Sequence, residues 1–141
     1  MRQDVLRRMN RNTRHPVNAL LNYAYAVLES QVRIAVAEVG LDPAIGYLHV
    51  HRPWRDSLIY DLMEPYRPQI DCDVLAFVRS QTFTPRDFVI DAKGVCRLHP
   101  ELAALLTRRT AQRADIDLSS AYCLLEHDAE GPDAAAVLEA R

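Results

Sequence analysis

The sequence predicts a mainly α-helical domain with one small β-hairpin. Three observations lead to this fold class: a long apolar stretch without internal glycine or proline, two further segments with helical spacing, and an Ala-Lys-Gly turn between short runs of strand-forming residues. The chain has 141 residues, of which 49% are hydrophobic and 26% are charged, as in one ordinary globular domain. No run approaches the roughly 20 apolar residues that a membrane-spanning helix needs, so no membrane association is expected.

The first predicted helix covers residues 16–39. It begins with Pro16, because proline suits the first helical position, and Gly40 predicts its end. The helix is apolar on nearly all sides, which predicts burial. One polar stripe steps along it by three or four residues: Asn18, Asn22, Tyr25, Glu29 and Arg33. Since an unpaired buried carboxylate is costly, we expect this stripe to have partners in the fold.

The later elements have start and stop signals of their own. Residues 40–56 form a connection, because glycines and prolines recur in them. A short helix over 56–64 follows, with Asp56 or Ser57 as its N-cap. Prolines then kink or interrupt it: Pro65 and Pro68. The remaining elements are a helical segment over 69–79, two short strands within 87–98 and a last helix over 100–113.

Charge divides the chain into three predicted regions. Residues 1–14 form a basic arm, residues 15–113 the helical domain, and residues 114–141 an acidic tail that we expect to be flexible. The amino terminus has no apolar segment of a secretory signal, and the three cysteines include no C-x-x-C pair. A zinc knuckle is therefore excluded, and a reducing cytoplasm is the expected compartment.

The residues that could bind a metal or take part in catalysis are a few acids and histidines. Asp61 and Glu64 lie three residues apart, so both carboxylates share one helix face, where they either hold a divalent cation or face solvent. Glu29 lies among apolar residues and is either paired with Arg33 or a metal ligand. Of two loop histidines at i, i+2 spacing, at most one faces a given site: His49 and His51. No glycine-rich phosphate loop exists, which argues against P-loop and Rossmann enzymes.

Four segments together resemble one family. They are HPVNALLNYAYAVLES (15–30), GLDPAIGYLH (40–49), RDSLIYDLMEPYRP (55–68) and DFVIDAKGVCRLHPE (87–101). In this order and spacing they resemble the C-terminal helical catalytic domain of the CRISPR-associated integrase, which inserts new spacers into the repeat array. Because the resemblance begins near residue 14, the sequence is expected to lack the family's N-terminal β-rich domain.

The resemblance implies a site and a reaction. Its metal ligands fall on Glu29, His49 and Glu64, with Asp61 as a further acid beside the metal, and the metal is Mg²⁺ or Mn²⁺. The implied reaction is phosphodiester transesterification, in which the 3′-hydroxyl of a spacer precursor attacks the repeat backbone. Hydrolytic cleavage uses the same site. Three arginines are candidates for contacts with DNA phosphates: Arg52, Arg55 and Arg67.

The resemblance also implies partners. These are branched DNA built from spacer precursor and repeat, the small ferredoxin-like CRISPR adaptation protein, and a second copy of the integrase. The acidic tail departs from the family, where a basic helix usually stands, and disfavours DNA through charge repulsion. An alternative therefore remains: a catalytically silent truncated or split-gene fragment that acts only as an interaction module.

Overall fold

The computed structural model describes residues 13–44, 56–113 and 116–118. Within these ranges the elements follow in this order: α1 (Pro16–Glu38), α2 (Ser57–Met63), a 3₁₀ turn (Glu64–Tyr66), α3 (Arg67–Ser80), a second 3₁₀ turn (Pro85–Asp87), β1 (Phe88–Ile90), β2 (Cys96–Leu98) and α4 (Pro100–Arg113). The mainly helical fold class with one hairpin is confirmed. None of the helices in the described ranges is both long and apolar enough to cross a membrane.

The chain divides into two compact units. Of the described residues, the first contains 13–28 and 67–113, and the second contains 29–44, 56–66 and 116–118. Helix α1 contributes its first part to one unit and its last part to the other. Most of the predicted basic arm and acidic tail lies outside the described residues, so these two boundaries stay predictions.

Helix α1 begins and ends where its sequence signals predict. Pro16 is its first residue, and Gly40 beyond its end has a positive φ of 72°. The Leu41 N–H donates to the Val36 carbonyl at 3.1 Å, and the Gly40 N–H donates to the Ala37 carbonyl at 3.1 Å. This pair of bonds is a Schellman motif, which satisfies carbonyl groups that the helix end would leave unpaired. The predicted stop at Gly40 is therefore confirmed.

Burial of α1 is concentrated in one stripe, beside which Ala19 is also buried. The stripe recurs every fourth residue: Leu20, Ala24, Leu28, Val32 and Val36. On another face Ile34 is 59% exposed, and Ala26 and Ser30 are exposed as well. The expectation that α1 is buried on nearly all sides is therefore wrong. Much of this exposed face consists of small side chains, and exposing a small apolar side chain to water costs little free energy.

The second unit is organised around the short helix α2. Six of its seven residues are buried, so the helix is enclosed on several sides rather than on one face. The α-helix gives way to a 3₁₀ turn at Glu64, immediately before Pro65, which has no N–H to continue the helical ladder. The predicted interruption is confirmed there. Pro68, by contrast, lies in the first turn of α3, where a missing N–H is tolerated.

In the first unit, the hairpin turn is held by one side chain. Val89 pairs with Arg97 in the antiparallel register. The Asp91 carboxylate accepts hydrogen bonds from the backbone N–H groups of Lys93 and Val95, at 2.9 and 3.0 Å. These hydrogen bonds, and above all the one from Val95, lower the pKa of Asp91 below its usual value. Gly94 supplies the positive φ of 76° that the turn needs, so the predicted Ala-Lys-Gly turn is confirmed.

The core of the first unit contains an aromatic cluster. Phe77 on α3 is 2% exposed and meets the ring of Phe83 edge-on, with 5.8 Å between ring centroids. The guanidinium of Arg109 on α4 lies 5.4 Å from the Phe77 ring centroid. A buried carboxylate on α3, Asp73, is paired with Arg113 on α4. The contacts of Arg109 with the Phe77 ring and of Arg113 with Asp73 thus connect α4 to α3 by a cation–π contact and a charged pair.

Candidate functional site

Helix α2 places the two predicted acids in different environments. Asp61 is 0% exposed, whereas Glu64 is exposed at the start of the 3₁₀ turn. The interpretation of both as a solvated helix face is therefore wrong for Asp61. The reason is that α2 is enclosed on several sides, so even its polar residues Ser57 and Asp61 lie in the interior. Carboxylate oxygens of this kind are the ligands that Mg²⁺ and Mn²⁺ prefer.

Glu29 forms the ion pair that its spacing to Arg33 permits. The Glu29 Oε1 atom accepts hydrogen bonds from Arg33 Nη2 at 2.8 Å and from Arg33 Nε at 3.2 Å. Donation to Glu29 is also the main reason why the pKa of the Arg33 guanidinium is raised. Of the two roles that the sequence leaves open for Glu29, the ion pair is the one formed in this structure.

Arg33 has a second acidic partner that the sequence does not predict. Its Nη1 atom lies 2.5 Å from Oδ2 of Asp56, the N-cap residue of α2. Of the two predicted N-cap candidates, Asp56 and Ser57, the structure has Asp56 in that position, but its side chain makes no capping hydrogen bond to the helix backbone. Arg33 therefore connects two acids, Glu29 on α1 and Asp56 at the start of α2. We call these three residues the Arg33 clamp.

The predicted metal centre is only partly covered by the structure. His49, with its neighbour His51, lies outside the described residues, as do the candidate phosphate contacts Arg52 and Arg55. Within the described ranges, no three His, Cys, Asp or Glu side chains form a group that could hold a metal ion. Glu29, Asp61 and Glu64 are all described, so these three alone do not make such a group. The ligand set that includes His49 stays a prediction.

Glu64 and Glu29 differ in how well their carboxylates suit a hard divalent cation. Glu64 presents an exposed carboxylate, and a histidine nitrogen would complete a mixed shell. Glu29 fits less well, because one of its oxygens already accepts two hydrogen bonds from a guanidinium. A metal at Glu29 would have to compete with that charge-assisted pair.

Arg67, the third candidate phosphate contact, belongs to a polar cluster in the first unit. Its guanidinium lies 5.0 Å from the ring centroid of Tyr25 on α1. The Tyr25 hydroxyl donates a hydrogen bond to Asp71 on α3. Burial, together with this bond, raises the pKa of Tyr25 to about 12, so the hydroxyl keeps its proton at neutral pH. The polar stripe of α1 is thus only partly buried, and three of its residues have the expected partners: Tyr25, Glu29 and Arg33.

A family model and several curated proteins match the chain. The family model described as CRISPR associated protein Cas1 matches residues 3–112. A CRISPR-associated endonuclease Cas1 of Korarchaeum cryptofilum is 49% identical over 71 residues, which are 50% of this chain and 21% of that protein. A CRISPR-associated exonuclease Cas4/endonuclease Cas1 fusion of Geobacter sulfurreducens is 44% identical over 96 residues, 67% of this chain and 17% of the fusion.

A solved structure matches as well. A casposase bound to integration product has 33% sequence identity with the chain and a TM-score of 0.66. The match covers 72% of this chain and 30% of the casposase chain. The chain therefore corresponds to a small part of each of these relatives.

Proposed function

Because the chain belongs to the Cas1 family of CRISPR-associated proteins, we propose that it carries catalytic residues of a metal-dependent DNA endonuclease and integrase of CRISPR adaptation. The observation that carries this proposal is the match to the casposase bound to integration product, at 33% identity and a TM-score of 0.66. The endonuclease relatives from Korarchaeum and Geobacter support the same class of reaction.

In this proposal the second unit provides the reactive centre. Glu64 and His49 would hold Mg²⁺ or Mn²⁺, with Asp61 as a further acid of the site. When bound, the metal supplies Lewis-acid stabilisation of the charge that develops on the scissile phosphate. The 3′-hydroxyl of the incoming strand gives up its proton as its oxygen bonds to phosphorus, the existing bond from phosphorus to the 3′-oxygen of the repeat breaks, and that leaving oxygen takes up a proton. Water in place of the 3′-hydroxyl gives cleavage.

Three arginines would assist by binding the DNA backbone. Arg52 and Arg55 adjoin α2 in the sequence, and Arg67 follows the 3₁₀ turn after Glu64. Guanidinium groups match phosphate geometry and remain charged at all relevant pH values. The proposed partners are branched DNA, the small ferredoxin-like adaptation protein and a second Cas1 copy.

One observation favours the alternative of a catalytically silent interaction module. The matched segments make up only 21% and 17% of the two relatives, so residues outside this chain contribute most of those proteins. In that case the chain folds and contacts its partners but does not turn over DNA.

The proposal is tested by incubating the chain with labelled branched DNA in Mn²⁺, in Ca²⁺ and in EDTA. We expect cut or joined strands in Mn²⁺ only, because the chemistry requires a Lewis-acidic metal with suitable geometry. A gel that resolves both products distinguishes cleavage from strand transfer. Absence of any product in Mn²⁺ contradicts catalysis by this chain and supports the silent alternative, whereas equal products in EDTA contradict metal dependence.

A further inference from the structure

We propose that Arg33 is a positioning residue: together with Glu29 and Asp56 it fixes the start of the helix that carries Asp61 and Glu64. The proposal assigns Glu29 to this clamp and not to the metal. The proposal has two parts. The structural part is that the clamp holds the start of α2, and it stands on its own. The catalytic part is that Arg33 thereby affects metal binding, and it rests on the proposed function.

The geometry of the clamp is that of a small charge network. Arg33 uses Nε and Nη2 on Glu29 and Nη1 on Asp56, so three of its nitrogens are engaged with two carboxylates. The side chains of Arg33, Glu29 and Asp56 are 40%, 30% and 39% exposed. A single ion pair at such exposure contributes little, but a network around one planar guanidinium holds its partners in a defined geometry.

Helix α2 needs such an external support. It has only seven residues, and a helix of that length is not stable without tertiary contacts. Its N-cap side chain makes no capping bond, and its first turn contains no other acid. Besides burial, two polar contacts among the described residues hold its start: the Leu58 N–H donates to the Pro43 carbonyl at 3.1 Å, and Asp56 binds Arg33.

A displacement at the start of α2 is transmitted to both acids. Asp61 follows Asp56 by little more than one helical turn, and Glu64 comes directly after the helix. Asp61 is fully buried, so a shift of α2 moves a carboxylate that has no room to compensate by changing rotamer. Arg33 therefore acts on the proposed metal site through the position of α2.

The structural part is tested by amide hydrogen exchange of α2. We expect the Ser57–Met63 amides to exchange about tenfold faster in Arg33→Met than in the wild-type chain, because charge-assisted bonds to the N-cap are lost. Arg33→Lys should restore part of the protection. Arg97→Met is the matched control, since it removes another arginine paired with an aspartate, Asp91, without touching α2. If Arg33→Met does not fold, Asp56→Asn gives the same comparison.

The catalytic part is tested by Mn²⁺ affinity. Glu29→Gln should retain the wild-type affinity within about threefold, since Gln still accepts hydrogen bonds from Arg33. Arg33→Met should weaken binding by about tenfold, as expected for a residue that orients ligands. Glu64→Gln should lose binding altogether, and Arg33→Lys should regain part of it.

Two results overturn the proposal. The first is a loss of Mn²⁺ binding in Glu29→Gln as complete as that in Glu64→Gln, which makes Glu29 a ligand. The second is unchanged α2 exchange in both Arg33→Met and Asp56→Asn. A wild-type chain that binds no Mn²⁺ contradicts the proposed function instead, and hydrogen exchange still decides whether the clamp positions α2.

Discussion

Replacing Glu64 by glutamine should lower the proposed Mn²⁺-dependent DNA cleavage and joining by about 100-fold or more, beyond the usual loss for a residue that merely supports a ligand. Glutamine keeps the size of the side chain but removes the negative charge, and a neutral amide is a weak ligand for a hard divalent cation. Glu64 is exposed, so we expect the free energy of unfolding to change by no more than about 0.5 kcal/mol.

The matched control for this prediction is Glu38→Gln. Glu38 is the last residue of α1 and is exposed, so its replacement removes the same charge from the same unit. Initial rates on labelled branched DNA, measured beside thermal melts, separate a lost ligand from lost folding. Wild-type rates in Glu64→Gln would remove Glu64 from the metal site. An equal loss in both variants would point to a general effect of charge.

Truncating Phe77 to alanine should reduce the free energy of unfolding by about 3–5 kcal/mol. Phe77 is 2% exposed and contacts the ring of Phe83, so its removal leaves a cavity that rigid neighbours cannot fill. The variant also removes the ring over which the Arg109 guanidinium lies. Because domains of this size have only about 5–15 kcal/mol of stability, the variant is expected to be partly unfolded at moderate temperature.

Leu75→Ala serves as the comparison for Phe77→Ala. Leu75 lies two residues earlier on the same helix and is 46% exposed, so its truncation should cost about 1 kcal/mol or less. Urea unfolding followed by circular dichroism gives both values. Equal effects in the two variants would show that Phe77 does not belong to a packed core.

Local signals predicted most of the fold. Pro16 and Gly40 delimit α1, and Gly94 marks the hairpin turn, because each acts through its own backbone conformation. The ion pair of Glu29 with Arg33 is equally local, since it joins residues four apart on one helix. Such features need no knowledge of the tertiary structure.

Features that depend on distant residues could not be predicted in this way. The spacing of Asp61 and Glu64 places them on one helix, but only the packing around α2 decides that Asp61 is buried. Likewise, the bond of Arg33 to Asp56 and that of Tyr25 to Asp71 join segments far apart in the chain. The spacing of residues in the sequence indicates which face of a helix each one occupies, but it does not indicate which other part of the fold packs against that face.

The central claim is that Glu64 and a histidine, His49, hold a catalytic metal. Pulsed EPR of the Mn²⁺-loaded chain tests it most directly, because an imidazole ligand couples its ¹⁴N nucleus to the manganese electron spin. The account predicts a ¹⁴N coupling in the wild-type chain that is lost in His49→Gln and retained in His51→Gln. A wild-type spectrum without that coupling, or a coupling that survives in His49→Gln, would contradict it.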